Sequence, residues 1–113
     1  MFTLPSSVSV YVCREPTDMR KSFDGLAALA SKVFSLDPLS GHLFVFFNRP
    51  SDRAKILFWD RSGYCLYYKR LEAGTFRVPD GAPSISMSDL ILILEGIDLA
   101  GARRRKRFLH PAA

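Results

Sequence analysis

Three hydrophobic segments separated by short polar loops constrain the fold of this chain more than any other feature of its sequence. They span residues 43–47, 54–59 and 64–70, and aromatic and aliphatic side chains occupy most of their positions. Such segments, bounded by turn-forming residues, are typical of β-strands. Asp60 at the start and Gly63 at the end of the second loop suit a type I turn that closes through a left-handed residue. The sequence therefore predicts a three-stranded antiparallel meander.

Residues 18–35 form the first predicted helix. Their apolar side chains recur at intervals of three, four and seven residues, which places them along one stripe of a helix. Thr17 or Asp18 is positioned to cap the amino end. On this interpretation Arg20 and Lys21 lie in the first turn, where a helix binds anions, and both are candidate phosphate contacts. The alternative is that nearby carboxylates offset their charge.

A second helix is predicted near the carboxyl end. Ser86 and Asp89 have the spacing of a capping box. Residues 90–94, which follow, are all apolar, and Gly96 stands where a helix would end. Alternating leucine and isoleucine also suit a strand, but the cap and the glycine favour a helix.

These elements indicate a single small α+β domain with two helices and a mainly antiparallel sheet. Val8, Val10 and Val12 alternate with other residues, as in a half-buried strand, and residues 75–78 are a candidate for another short one. The meander thus gains one or two further strands. Because its segments are apolar at consecutive positions, both faces of the sheet are hydrophobic. Either the two helices cover one face each, or one face meets another protein.

The net charge of the chain lies in one short segment. The chain has 16 lysines and arginines and 11 aspartates and glutamates, a formal net charge of +5. An equal charge is carried by the adjacent residues Arg103, Arg104, Arg105, Lys106 and Arg107. We therefore divide the chain into a domain of residues 1–100 and a disordered basic tail of residues 101–113. A run of cations is a common footprint for nucleic acid, and the alternative is a solvated end that keeps the protein soluble.

Further candidate nucleic-acid contacts lie in and beside the meander. They are Lys55, Trp59, Tyr67 and Lys69 on one face of the sheet, and Arg49 and Arg53 in its first loop. The shared face assumes a three-residue loop between the second and third segments. Cations interleaved with aromatic rings are typical of sheets that bind single-stranded nucleic acid. The alternative is that the lysine stems cover a half-buried aromatic face.

The sequence lacks the patterns of common catalytic and metal-binding sites. Its carboxylates are scattered, Cys13 and Cys65 lack metal-ligand spacing, and no phosphate-binding glycine loop or nucleophile motif is present. We expect neither an enzyme nor a bound metal or cofactor. The longest apolar run, residues 90–94, is far shorter than the ~18 residues of a spanning helix. Because the amino end also lacks a secretory signal, we expect a cytoplasmic protein without membrane contact.

Four stretches of the sequence form a pattern that is specific to one family. They are TDMRKSFDGLAAL at residues 17–29, DPLSGHLFVF at residues 37–46, the segment from KILFWD to YKRLE at residues 55–72, and LEGID at residues 94–98. In this order and with this spacing, the chain resembles the TnpB-type accessory protein of the IS66 family of bacterial transposons. The resemblance covers residues 4–98.

The resemblance implies a protein encoded beside a transposase, with the chemistry of transposition carried out by a larger DDE-type partner. We therefore expect a non-catalytic accessory protein of a bacterial insertion sequence. It would assist DNA transposition by binding DNA, the transposase or both, together with other proteins of the same element. One alternative is a protein-interaction adaptor without DNA contact, and a weaker one is a small metal-dependent nuclease.

Deletion of residues 103–113 tests the tail. If its five cations each reach a phosphate, the log–log slope of DNA affinity against salt concentration is about −4.5, so fourfold more salt weakens binding by several hundredfold. The deletion should remove most of this slope and leave the melting temperature nearly unchanged, because a charged terminus buries little surface. Fluorescence anisotropy at several salt concentrations and a thermal melt measure both. An unchanged slope would indicate that the tail keeps the protein soluble and does not bind DNA.

Overall fold

The computed structural model describes residues 7–99, which form a five-stranded sheet, two α-helices and one short 3₁₀ helix. The strands are β1 (Val10–Val12), β2 (Leu43–Phe47), β3 (Arg53–Asp60), β4 (Gly63–Arg70) and β5 (Ser84–Ile85). The helices are α1 (Phe23–Phe34) and α2 (Met87–Leu94), and the 3₁₀ helix spans Pro38–Ser40.

The strands lie in the order β4-β3-β2-β1-β5. β2, β3 and β4 form the predicted antiparallel meander, and β5 also pairs antiparallel with β1. Among the described strands the one parallel pair is β1 with β2, and α1 forms the crossover that a parallel pair requires. The prediction of a small α+β domain with a mainly antiparallel sheet is confirmed.

Each face of the sheet packs against one helix. On the face that we call the α1 face, Leu26 and Ala30 of α1 pack with Phe44, Phe46 and Leu57 of the central strands. On the opposite face, the α2 face, buried side chains of α2 pack with the alternate residues of β1, β2 and β3. Of the two arrangements that the sequence left open, the structure has the one in which each helix covers one face. Alternation along β2 explains the arrangement, because successive residues point to opposite faces.

Helix α1 begins five residues later than predicted. Ser22 is its amino-terminal flanking residue, and neither Thr17 nor Asp18 caps it. Asp18 instead accepts a hydrogen bond from the backbone N–H of Arg20 at 2.9 Å, a local turn that competes with helix formation. Arg20 and Lys21 therefore precede the helix, and the predicted position of both cations in its first turn is wrong.

The predicted strand at residues 75–78 is wrong, and β5 supplies the additional strand instead. Residues 75–78 run as irregular chain that is tied to the loop between β2 and β3. Phe76 is buried, its N–H donates to the Ser51 carbonyl, and its carbonyl accepts from the Ser51 hydroxyl. A buried ring and two hydrogen bonds satisfy this segment without a strand partner.

The loop of the β3–β4 hairpin has two residues rather than three. Asp60 pairs with Gly63, Trp59 pairs with Tyr64, and Arg61 between them has a left-handed φ of 51°. A left-handed residue at the first loop position is typical of two-residue hairpins, because it matches the twist of the strands. This finding corrects the predicted turn, in which the left-handed residue closed a longer loop.

The shorter loop changes which side chains share a face. Lys55 lies opposite Tyr68, and opposite residues of an antiparallel pair point to the same side. Lys55 and Trp59 therefore lie on the α1 face, whereas Tyr67 and Lys69 lie on the α2 face. The predicted common face of these side chains is wrong, because a slip of one residue moves a whole strand's side chains to the other face.

Helix α2 begins and ends as predicted. The Ser86 hydroxyl accepts a hydrogen bond from the backbone N–H of Asp89 at 3.0 Å. At the other end, Gly96 has a φ of 81°, a conformation that ends a helix at little cost for glycine.

Ser86→Ala should lower the free energy of unfolding by about 1 kcal/mol, because the Asp89 N–H loses its partner. Ser88→Ala is the matched control: Ser88 is exposed in the first turn of α2 and is not the cap. Its substitution should change stability by less than about 0.5 kcal/mol. Urea denaturation of both variants measures the difference, and equal effects would contradict the capping role.

Candidate nucleic-acid interface

Cationic side chains surround Tyr68 at one end of the α1 face. Arg53 of β3 lies directly opposite Arg70 of β4, so their side chains point to the same side of the sheet. One guanidinium nitrogen of Arg53, Nη1, donates to the Tyr68 hydroxyl at 3.3 Å. Tyr68 is 48% exposed in this position. The register of the hairpin thus places two arginines around one accessible phenol.

Lys55 ties the chain ahead of α1 to this group. Its Nζ donates to the backbone carbonyls of Met19 and Lys21, each at 2.7 Å, and lies 4.6 Å from the centre of the Tyr68 ring. The residue is only 6% exposed. Sequence reasoning made Lys55 a candidate contact to nucleic acid, but the structure uses its ammonium group to hold the turn of residues 18–21 against the hairpin.

This link holds the backbone of the turn that carries Arg20 and Lys21 against the hairpin. The Arg20 side chain is 92% exposed and forms an ion pair with Asp18 at 2.7 Å. The hydrogen bonds that Asp18 accepts from the Arg20 side chain and backbone lower the pKa of its carboxyl to about 2. The pair is therefore charged on both sides at neutral pH, and both groups stand at the surface.

Arg70 was missed by the sequence reasoning. It is exposed and binds Glu72 at 2.9 Å, and this hydrogen-bonded carboxylate raises the pKa of its guanidinium. Arg70 lies opposite Arg53 only when the hairpin loop has two residues, and the sequence pattern predicted a loop of three. We define the basic cluster as Arg53 and Arg70 with Tyr68, together with Arg20 and Lys21 of the adjoining turn.

Other predicted contacts lie elsewhere. Arg49 is exposed in the loop after β2. Together with Arg14 it lines a cavity of about 310 Å³. The Arg14 guanidinium donates hydrogen bonds to the carbonyls of Pro79 and Ala82. Trp59 is half-buried near the far end of the hairpin, where its ring meets Tyr64 edge-on.

Tyr67 and Lys69 point to the α2 face, away from the basic cluster. The candidate tail residues Arg103, Arg104, Arg105, Lys106 and Arg107 lie outside the described residues. Of the predicted set, the structure therefore places Arg53 in the hairpin and Arg20 and Lys21 in the turn held against it, and it adds Arg70 and Tyr68.

Within residues 7–99, no three His, Cys, Asp or Glu side chains lie close enough together to hold a metal ion. None of the helices in that range has both the length and the hydrophobicity to span a bilayer.

Comparison with known proteins places the chain among related sequences. The model of the IS66 Orf2-like protein family matches residues 8–104. The uncharacterized protein y4hO of Sinorhizobium fredii strain NGR234 is 42% identical over 100 residues, which cover 84% of this chain and 87% of that protein. The uncharacterized protein y4jC of the same strain is 35% identical over 99 residues, 85% of each chain. No solved structure matches the chain.

Lys55→Met should lower the free energy of unfolding by about 2–5 kcal/mol. The substitution removes two hydrogen bonds that a charged group donates, and it leaves the carbonyls of Met19 and Lys21 without that donor. Lys69→Met is the control, since Lys69 lies half-buried on the neighbouring strand and points to the other face. We expect a change within about 0.5 kcal/mol there. Chemical denaturation checks both, and an equal loss at the two positions would contradict the structural role of Lys55.

Proposed function

The chain belongs to the IS66 Orf2-like family of insertion-sequence accessory proteins, and from this premise we propose that it assists transposition by binding DNA at the basic cluster. In this proposal the protein is non-catalytic: it holds DNA, and the transposase that acts on the same element carries out the chemistry. The observation that carries the proposal is the pair of Arg53 and Arg70 at Tyr68, with the turn that carries Arg20 and Lys21 held against the same hairpin by Lys55.

The groups in the cluster suit phosphate contacts. Arginine presents several N–H donors in a plane and binds phosphate oxygens through two of them, and the tyrosine hydroxyl is a common donor to the DNA backbone. Each phosphate that a cation neutralises releases counterions, which makes binding favourable and dependent on salt.

The carboxylates in the cluster favour moderate affinity. Asp18 binds Arg20, and Glu72 binds Arg70, so two of the cations have an anionic partner on the free protein. Both pairs are exposed, and exposed ion pairs contribute little to stability, so a phosphate can replace the carboxylate at small cost. DNA would therefore exchange partners with these arginines.

The tail adds a second contact in this proposal. Its five cations bind DNA without sequence preference, while the basic cluster positions the folded domain on the backbone. Contact with the transposase is the second part of the accessory role, and the family membership supports it.

Replacing Arg53 and Arg70 together by serine tests the site. We expect weaker DNA binding at every salt concentration and a log–log salt slope that is smaller by about 1.8 on duplex and about 1.4 on single strands, since two phosphate contacts are lost. Fluorescence anisotropy on duplex and single-stranded oligonucleotides of one sequence measures both quantities.

The control is the double substitution of Lys32 and Arg61 by serine, which removes the same charge. Lys32 is exposed near the end of α1, and Arg61 is in the loop at the other end of the hairpin. The control should keep most of the affinity and the slope. Equal losses of affinity and slope in both variants would show that binding depends on net charge and not on the basic cluster. If the unsubstituted chain binds no DNA at low salt, the proposal is wrong and the adaptor hypothesis replaces it.

A further inference from the structure

The outer edge of β4 is long and lacks the usual protection. β4 has eight residues and lies at one end of the sheet, and within residues 7–99 no strand pairs with its outer side. Edge strands are commonly short or interrupted by proline or a bulge. Here the paired positions run without interruption from residue 63 to residue 70, and the charged residues lie at one end only.

The backbone groups on this edge can be identified from the register. The N–H of Leu71 donates to the carbonyl of Asp52, which continues the β3–β4 ladder by one residue. In an antiparallel pair, residues that bond to the partner strand alternate with residues that face away from it. The odd-numbered residues of β4 thus bond to β3, and Tyr64, Leu66, Tyr68 and Arg70 direct their N–H and carbonyl groups outward.

We propose that this edge pairs with the same edge of a second copy of the chain, forming an antiparallel dimer with a continuous sheet. A two-fold axis perpendicular to the sheet keeps the α1 faces of both copies on the same side. Because side chains alternate between faces, each residue of β4 must then lie opposite a residue of the same parity. One residue of β4 must therefore lie directly opposite the same residue of the second copy, and the two-fold axis passes between these two residues.

An axis at Tyr67 uses the edge most fully. Leu66 then lies opposite Tyr68 of the second copy, and Tyr64 opposite Arg70 of the second copy. In this register all four outward residues of each β4 exchange hydrogen bonds with outward residues of β4 in the second copy. An axis at Leu66 would instead place Arg70 opposite the loop residue Ser62 of the second copy. It would also place Asp60 opposite Glu72 of the second copy, and like charges in opposite positions are destabilising.

The side chains also match in the Tyr67 register. The two Tyr67 rings meet on the α2 face as a non-hydrogen-bonded pair, which brings side chains closest and suits aromatic contact. No charged side chain lies opposite one of like charge, and Arg70 lies beside the ring of Tyr64 in a position for a cation–π contact. Because the edge of β4 is complementary to the same edge of a second copy, we assign it to a second copy rather than to another protein.

The dimer would place both basic clusters on one side of the joined sheet. The two Arg70 residues would stand six positions apart along paired strands, about 20 Å at ~3.4 Å per residue. A single DNA segment could then contact both clusters, a consequence that rests on the proposed function. The pairing itself does not depend on DNA.

Sedimentation equilibrium of the full chain without DNA tests the pairing. We expect a reversible dimer at micromolar concentration, and Tyr67→Lys should raise its dissociation constant about tenfold or more, because it replaces an aromatic pair by two opposed cations. Tyr67→Phe is the control and should leave the constant unchanged within about twofold. Circular dichroism confirms that each variant is folded.

Disulfide trapping tests the register. In the Cys65→Ser background, Tyr67→Cys should form an intermolecular disulfide under mild oxidation, since opposed residues of a non-hydrogen-bonded pair lie about 4.5 Å apart between Cα atoms. Ile91→Cys, exposed on α2, should not. A monomeric chain, or a dimer that neither Tyr67→Lys weakens nor Tyr67→Cys traps, overturns the proposal. DNA binding at the basic cluster can hold in either case, so the two proposals fail separately.

Discussion

Burial of both faces of the central strands is the constraint on which the rest of the structure depends. All of β2 and five consecutive residues of β3 are buried, so hydrophobic side chains project from each side of the sheet. Each side needs its own cover to remove that surface from water. The parallel pairing of β1 with β2 demands a crossover, and that crossover is α1. The opposite face remains for α2, which the chain reaches only after the meander and the loop that follows it.

One charged residue lies within the buried part of β3 and links the core to the surface. An ammonium group so far from water needs hydrogen-bond partners, and Lys55 finds them in the carbonyls of Met19 and Lys21. The same interaction fixes the turn ahead of α1 over the end of the hairpin. The position of the turn that carries Arg20 and Lys21 thus follows from the requirement to satisfy a buried charge.

Strand β4 carries two separate functional features because it is the edge of the sheet. Its even-numbered side chains reach the α1 face, where Arg53 binds the Tyr68 hydroxyl and lies opposite Arg70. Its even-numbered backbone groups point away from β3 and are available to another strand. A central strand could offer only side chains, since both of its edges are occupied. The proposed DNA contact and the proposed pairing therefore use different atoms of the same residues.

The sequence by itself determined the features that depend on neighbouring residues. These are the meander, the Ser86 cap, the two apolar faces and the motifs of the IS66 Orf2-like family, all carried by local spacing. The tertiary structure alone decided the hairpin loop, where the left-handed Arg61 shortens the turn by one residue and so separates Lys55 from Tyr67. It also decided the contacts between distant segments: Lys55 with Met19, Phe76 with Ser51, and Arg53 opposite Arg70. Local patterns carry no information about such contacts, because they depend on how buried polar groups and rings find partners once the whole sheet has formed.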